Sequence, residues 1–103
     1  MEIYYSKKSE IHGFGIFLKK KIDKNKLIGI GIYYNFLFIP VVTEKFGSLI
    51  NHSKNPNCFL KFISEKKNYN VYSLKSIKKN EEITLNYNNL PWFCCGPDPN
   101  WDN

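Results

Sequence analysis

Leu49-Ile50-Asn51-His52-Ser53-Lys54-Asn55-Pro56-Asn57-Cys58 is the stretch on which the reading of this chain turns. An apolar pair runs into Asn-His-Ser, and a turn cluster of Lys54, Asn55, Pro56 and Asn57 follows. Taken alone, one His in such a segment is a structural hydrogen bonder, and nothing partners it as a nucleophilic triad requires. Two other stretches stand out. Asn80-Glu81-Glu82-Ile83-Thr84-Leu85-Asn86-Tyr87 lies towards the C-terminus, and His12-Gly13-Phe14-Gly15-Ile16-Phe17 near the start. Gly13-Phe14-Gly15 lacks the third Gly of a dinucleotide fingerprint, and no helical pattern follows it. Its physical use is either a plain turn or close backbone approach to a ligand. With seven Tyr in the chain, Tyr87 by itself reads as a core or edge-strand ring.

Working outward, Glu2 to Tyr5, Ile16 to Leu18 and Leu27 to Tyr34 read as strands. The last of these carries Gly29 and Gly31 at alternate positions, a sign of close backbone packing on one face. Pro40 ends the next apolar run, and Thr43 to Ile50 has room for one helical turn. Leu60 to Ser64 and Tyr69 to Leu74 read as a hairpin around Glu65-Lys66-Lys67-Asn68, and Glu82 to Tyr87 as a further strand. Lys20 to Ile28 echoes Lys75 to Ile83: each puts an Ile shortly before a polar turn ending in Asn, a residue that tolerates positive φ. Two similar tight turns are enough to explain the echo. No segment holds a helical period, so the expected class is mostly β.

In this order the three stretches resemble the SET-domain protein lysine methyltransferases, over most of the chain. The resemblance implies a β-clip fold of short curved strands with a knot-like crossing near the C-terminus. It implies a SET domain over residues 1–90 and an aromatic C-terminal tail over 91–103. It implies the cofactor S-adenosyl-L-methionine, with S-adenosyl-L-homocysteine as product. Gly13, Phe14 and Gly15 resemble the family's cofactor loop. Asn51 and His52 resemble the pair that reaches the methionine and adenine portions. Tyr87 resembles the catalytic tyrosine, and Glu82 a structural carboxylate near the crossing. Tyr34, or Tyr33 in its place, resembles a tyrosine lining the substrate-lysine channel. Leu85 stands where a Phe or Tyr governs the degree of methylation in several members. Trp92, with Phe93 and Trp101, either packs over cofactor and channel or simply anchors the C-terminus.

The chain also departs from the family. Ser48-Leu49 replaces Arg-Phe before Asn51, and the segment between Tyr34 and Asn51, which usually helps to form the substrate groove, is very short. Many members carry a zinc-binding tail; here its outlying Cys position is Lys54, and adjacent Cys94 and Cys95 are a poor ligand pair for one tetrahedral ion, so no zinc is expected. Such compactness is similar to small viral SET proteins, and with it comes the expectation of a homodimer.

Length and composition bound the rest. The 103 residues suffice for one small domain. The net charge is +6, every basic residue is Lys and Arg is absent. Without its planar fork, bidentate reading of phosphates or guanines is disfavoured, and direct nucleic-acid binding is not expected. A Lys-rich, Tyr- and Phe-rich chain also fits a small nucleic-acid-binding β domain, but that reading leaves the Asn51 to Cys58 stretch unexplained. A cofactor- or peptide-binding module without catalysis is the nearer alternative. Met1 to Ser9 carries charges and no apolar core, so neither a signal peptide nor a membrane span is expected. The three Cys lack the spacing of a disulfide framework, which points to an intracellular setting, extending to a host nucleus for a viral protein or a bacterial effector. The partner implied by the resemblance is a lysine-containing protein or peptide, with histone H3 favoured.

Overall fold

The computed structural model describes residues 2–91. Eight short strands occur in chain order: β1 (Tyr4–Lys8), β2 (Phe14–Leu18), β3 (Leu27–Tyr34), β4 (Pro40–Val42), β5 (Asn51–His52), β6 (Cys58–Ile63), β7 (Asn68–Ser73) and β8 (Thr84–Leu85). Single 3-10 turns cover Gly47–Leu49 and Tyr87–Asn89. The strands form three small sheets: the β1–β2 hairpin, a four-stranded sheet in the order β4-β3-β7-β6, and the parallel pair β5–β8. Among the described residues, no helix is long and apolar enough to cross a membrane.

The tight turns fall where Asn was expected to take them. Asn25 and Asn80 adopt φ of 65° and 68°. The two echoing segments also pair with each other, because Ile22 and Ile77 exchange two backbone hydrogen bonds of 2.9 Å each. The expectation of close backbone packing at the β3 glycines is met only in part. A Cβ on Gly29 would come within 2.9 Å of the Phe46 ring, a side chain. The backbone approach is at Gly47, whose Cβ would stand 2.3 Å from the Gly31 carbonyl oxygen.

Pro40 opens a strand instead of ending a run. Asn35 turns the chain back: its side-chain oxygen accepts from the Leu37 and Ile39 N–H groups at 2.9 and 3.1 Å. The returning β4 lies on the sheet edge, where a residue without an N–H is tolerated. The C-terminal strand is shorter than expected. Only Thr84 and Leu85 form β8, and Tyr87 begins a 3-10 turn.

The core gathers Ile16, Leu18, Ile22, Ile28, Phe46, Ile50, Cys58, Val71, Ile77, Ile83 and Leu85. Among the described residues it is mostly aliphatic, which suits β-branched side chains on pleated surfaces, with the rings of Phe46 and Phe17 buried as well. Other rings pair nearer the surface, as Phe59 does with Tyr72 and Phe62 with Tyr69.

Candidate active site

The crossing is built from residues 80–85 running between β2 and β5. On one side, Ile83 N–H donates to the Ile16 carbonyl at 2.8 Å and Asn80 N–H to that of Leu18 at 2.8 Å. On the other, Asn51 pairs with Thr84 and His52 with Leu85 in parallel register. Asn57 locks the two together. Its side-chain oxygen accepts from Thr84 N–H at 2.8 Å, and its amide donates to the Glu82 carbonyl at 2.9 Å.

Three segments distant in sequence therefore meet, and the Glu82 carboxylate is where they are tied. It accepts from the Ser9 hydroxyl at 2.8 and 2.9 Å and from the Asn51 amide at 2.9 Å. The same Asn51 nitrogen donates to the carbonyls of His12 and Phe14 at 3.0 and 3.3 Å. Gly15 makes room for this carboxylate, since a Cβ there would lie 2.2 Å from Glu82 Oε2. Gly13 turns with φ +48°, and a Cβ on it would meet nothing within 4 Å. The Phe14 side chain is 59% exposed. The 12–15 loop is thus fastened from beneath and open above.

His52 is 2% exposed. Its Nδ1 accepts from the Tyr87 backbone N–H at 3.1 Å, and its ring lies 5.3 Å from that of Tyr87. The Tyr87 hydroxyl donates to the Ile50 carbonyl. Burial pushes the Tyr87 phenol above its usual pKa, so at neutral pH it is an O–H donor.

Tyr87 stands on the wall of a cavity of about 410 Å³. The other walls come from Gly31 and Ile32 of β3, Pro40 and Val42 of β4, and Ile50, Leu60, Leu85 and Leu90. Gly47 and Ser48 complete the lining, and none of the described lining residues is charged. An ammonium placed there would lose part of its water with no counter-charge from these walls, which favours the neutral amine.

Of the site residues expected from sequence, the structure brings Gly13, Phe14, Gly15, Asn51, His52, Leu85 and Tyr87 to one crossing. Tyr34 is not among the cavity's lining residues. It lies two residues beyond Ile32, paired with Pro40 and bonded through its N–H to the Lys67 carbonyl at 3.2 Å. Pro40 forms the wall at that level instead. Tyr33 is not a lining residue either, and its side chain is 42% exposed. Trp92, and with it the proposed aromatic tail and Cys94 and Cys95, lies outside the described residues. Sequence reasoning missed Ser9 and the clamping role of Asn57. Asn57 carried a signal, its place in the turn cluster; Ser9 carried none.

Whether these residues suit a methyl-sulfonium nucleoside can be judged from the loop. An exposed ring and a Gly backbone with open space above it suit a flat heteroaromatic group, while the Asn51 amide, engaged by the His12 and Phe14 carbonyls and Glu82, holds that loop in place. The loop is compatible with such a group.

The SET domain family model matches residues 34–88. Human histone-lysine N-methyltransferase SETD1B is 30% identical over 111 residues, covering 78% of this chain and 6% of that protein. Drosophila melanogaster histone-lysine N-methyltransferase SETD1 is 36% identical over 112 residues, covering 78% and 7%. The Schizosaccharomyces pombe histone-lysine N-methyltransferase specific for H3 lysine-37 is 36% identical over 47 residues, covering 46% and 32%. The chain therefore spans only a small part of these curated relatives. Among solved structures, a candidate histone methyltransferase of Plasmodium falciparum superposes with a TM-score of 0.67 at 25% identity, covering 82% of this chain and 92% of that one.

Proposed function

The chain belongs to the SET-domain family, and on that premise we propose that it is an S-adenosylmethionine-dependent protein-lysine N-methyltransferase acting on a lysine-containing tail, with histone H3 the first candidate. One observation carries the reading. The pairing of Asn51-His52 with Thr84-Leu85 sets the Tyr87 phenol, held by the Ile50 carbonyl, on the wall of an uncharged cavity.

The chemistry supplied by the cofactor, when bound, is an activated methyl on a sulfonium. What the chain does is prepare the acceptor. A lysine of reference pKa near 10.4 costs roughly 4–5 kcal/mol to deprotonate at pH 7. The uncharged walls lower that cost by disfavouring the ammonium, so no dedicated base is needed. Tyr87 donates its proton to the Ile50 carbonyl, and its oxygen is assigned the role of acceptor for the amine. His52 fixes the start of the Tyr87 turn through the backbone N–H. Gly13 to Gly15, Phe14 and Asn51 are assigned to the cofactor, with Glu82 and Ser9 holding them in register. The gain in rate is assigned chiefly to alignment.

The test is transfer of labelled methyl from S-adenosylmethionine to a histone H3 tail peptide and to a panel of lysine peptides. Tyr87→Phe is expected to lower kcat by at least about tenfold, the scale of one positioned polar group, with the fold intact by circular dichroism. Undiminished activity in Tyr87→Phe would remove the mechanism. Cofactor binding with no turnover on any peptide would favour a binding module instead.

A further inference from the structure

From Leu27 to Val42 the sequence contains no charged residue, in a chain that is 23% charged overall. The hairpin tip within that stretch displays four consecutive apolar side chains: Phe36 is 87% exposed, Leu37 61%, Phe38 78% and Ile39 51%. Hydrophobic residues scattered singly over a surface need no explanation, but a contiguous cluster does.

The tip is also built. Phe38 holds a φ of 60°, a conformation that costs a non-Gly residue roughly 1–2 kcal/mol. Asn35 pays for it with four hydrogen bonds: its oxygen takes the Leu37 and Ile39 N–H groups, its N–H reaches the Ile39 carbonyl at 3.0 Å, and its carbonyl accepts from Phe38 N–H at 2.9 Å. The outcome is a fixed display of two Phe rings to solvent.

The tip is continuous with the cavity. Ile39 is followed by Pro40, a lining residue, and Val42 continues the same wall. Phe38 lies two residues from Pro40, within roughly 7 Å along the chain. An extended peptide advances about 3.3 Å per residue, with alternate side chains on one face. A lysine entering the cavity therefore carries the side chain two positions away to the level of the tip.

We propose that the Phe36–Ile39 tip is a specificity element that docks an apolar side chain two residues from the target lysine, so that the substrate class is a lysine with an apolar flank and not one within a polybasic run. The assignment rests on the methyltransferase reading for its link to turnover, and its binding part can be measured without it.

The probes are 11-residue Gly/Ser peptides with one central Lys and either Leu, Lys or Glu placed two positions before or after it. Wild-type protein is compared with Phe36→Ser/Phe38→Asn, a pair that removes both rings and puts at 38 a residue that tolerates positive φ. Fluorescence anisotropy reads affinity, and labelled methyl transfer reads kcat/KM. For one of the two placements, wild type is expected to prefer Leu by at least about fivefold in both measurements, the worth of one partly buried apolar side chain. The variant is expected to bring that preference within about twofold while leaving the Lys and Glu peptides unchanged.

Equal affinity of wild type for Leu, Lys and Glu peptides overturns the proposal. So does a preference that survives in the variant. No turnover on any peptide, with the binding preference present and lost in the variant, keeps the docking element and refutes the enzyme. If the tip instead meets a second copy or residues 92–103, sedimentation or the melting temperature changes in the variant while the flank preference does not, and the proposal fails.

Discussion

Gly15→Ala should destabilise the protein only while residue 82 holds its carboxylate in its present place. The added Cβ would lie 2.2 Å from Glu82 Oε2 and 2.8 Å from Cδ, so the carboxylate must move. Moving it strains the bonds from the Ser9 hydroxyl and the Asn51 amide, 2.8 to 2.9 Å long. A hydrogen bond to a charged group contributes about 1.5–3 kcal/mol net. Losing one and stretching the other costs roughly 2–3 kcal/mol. Against this, Ala restricts the unfolded chain more than Gly does, which returns about 0.5–1 kcal/mol. The net expectation is a loss of roughly 1–2 kcal/mol, or about 5–15 °C in Tm for a domain of this size. With Glu82→Ala already in place, the nearest remaining obstacle is Ser9 Cβ at 3.1 Å. In that background Gly15→Ala should be neutral or mildly stabilising. Urea unfolding of wild type, the two single variants and the double variant gives the coupling directly. Should Glu82→Ala not fold, Glu82→Asp withdraws the carboxylate by about one C–C bond, ~1.5 Å, and serves the same cycle. An equal cost of Gly15→Ala in both backgrounds would refute the argument that the carboxylate ties the loop to Asn51.

Asn57→Ala strips Thr84 N–H of its acceptor inside the crossing, and a loss of about 2–3 kcal/mol is expected in urea unfolding; a loss under about 0.5 kcal/mol would mean that β5–β8 holds without the clamp. Burial pushes the Cys58 thiol from 9.0 up to about 12. A raised folded value means the unfolded chain loses its proton first, so this stabilisation is whole below pH 9 and drains away between pH 9 and 12. Each unit is worth about 1.4 kcal/mol, and Cys58→Ala should remove that part of the alkaline slope; parallel slopes in the two proteins would count against it. Phe38→Gly should raise Tm, because relief of a left-handed non-Gly residue is worth roughly 0.5–1 kcal/mol after the entropy of the added Gly; a lowered Tm would show that the ring is packed against something.

What was legible in the sequence was local. The β3 range follows from its apolar run, and the turns at Asn25 and Asn80 follow from a residue that accepts positive φ. The approach of Asn51-His52 to Tyr87 came only through the resemblance, since no period or spacing announces a contact between residues 35 apart. Apolar character alone also failed to separate inside from outside. Ile28 and Ile32 enter the core side of the sheet and Phe36 to Ile39 leave it, although all belong to one uncharged run. The difference lies at Asn35, whose oxygen serves two backbone N–H groups and turns the chain before the run can continue as strand. Tyr34 was named for the channel through the resemblance alone; in the structure it pairs with Pro40, and Pro40 is the one of the two that lines the cavity.

The site depends on a division of labour between its polar and apolar residues. The polar groups of the crossing, Ser9, Asn51, His52, Asn57 and Glu82, are spent on one another and on backbone atoms. Among the described residues the cavity beside them is left to apolar side chains, Ser48 and the Tyr87 phenol, and both hydroxyls are themselves held by carbonyls. Each polar group that is satisfied internally is one fewer that can stabilise an ammonium in the cavity. The network that fixes the crossing therefore also keeps the channel uncharged, and a neutral amine is the form of lysine that such a channel selects. An acidic side chain introduced on the cavity wall, as in Leu60→Glu, should test this without touching the crossing: it would offer the ammonium a counter-charge, shift the rise of kcat with pH to higher pH by roughly one unit or more, and leave the rate at pH 10 within a few-fold of wild type. An unshifted pH profile would mean that the walls do not set the protonation of the incoming lysine.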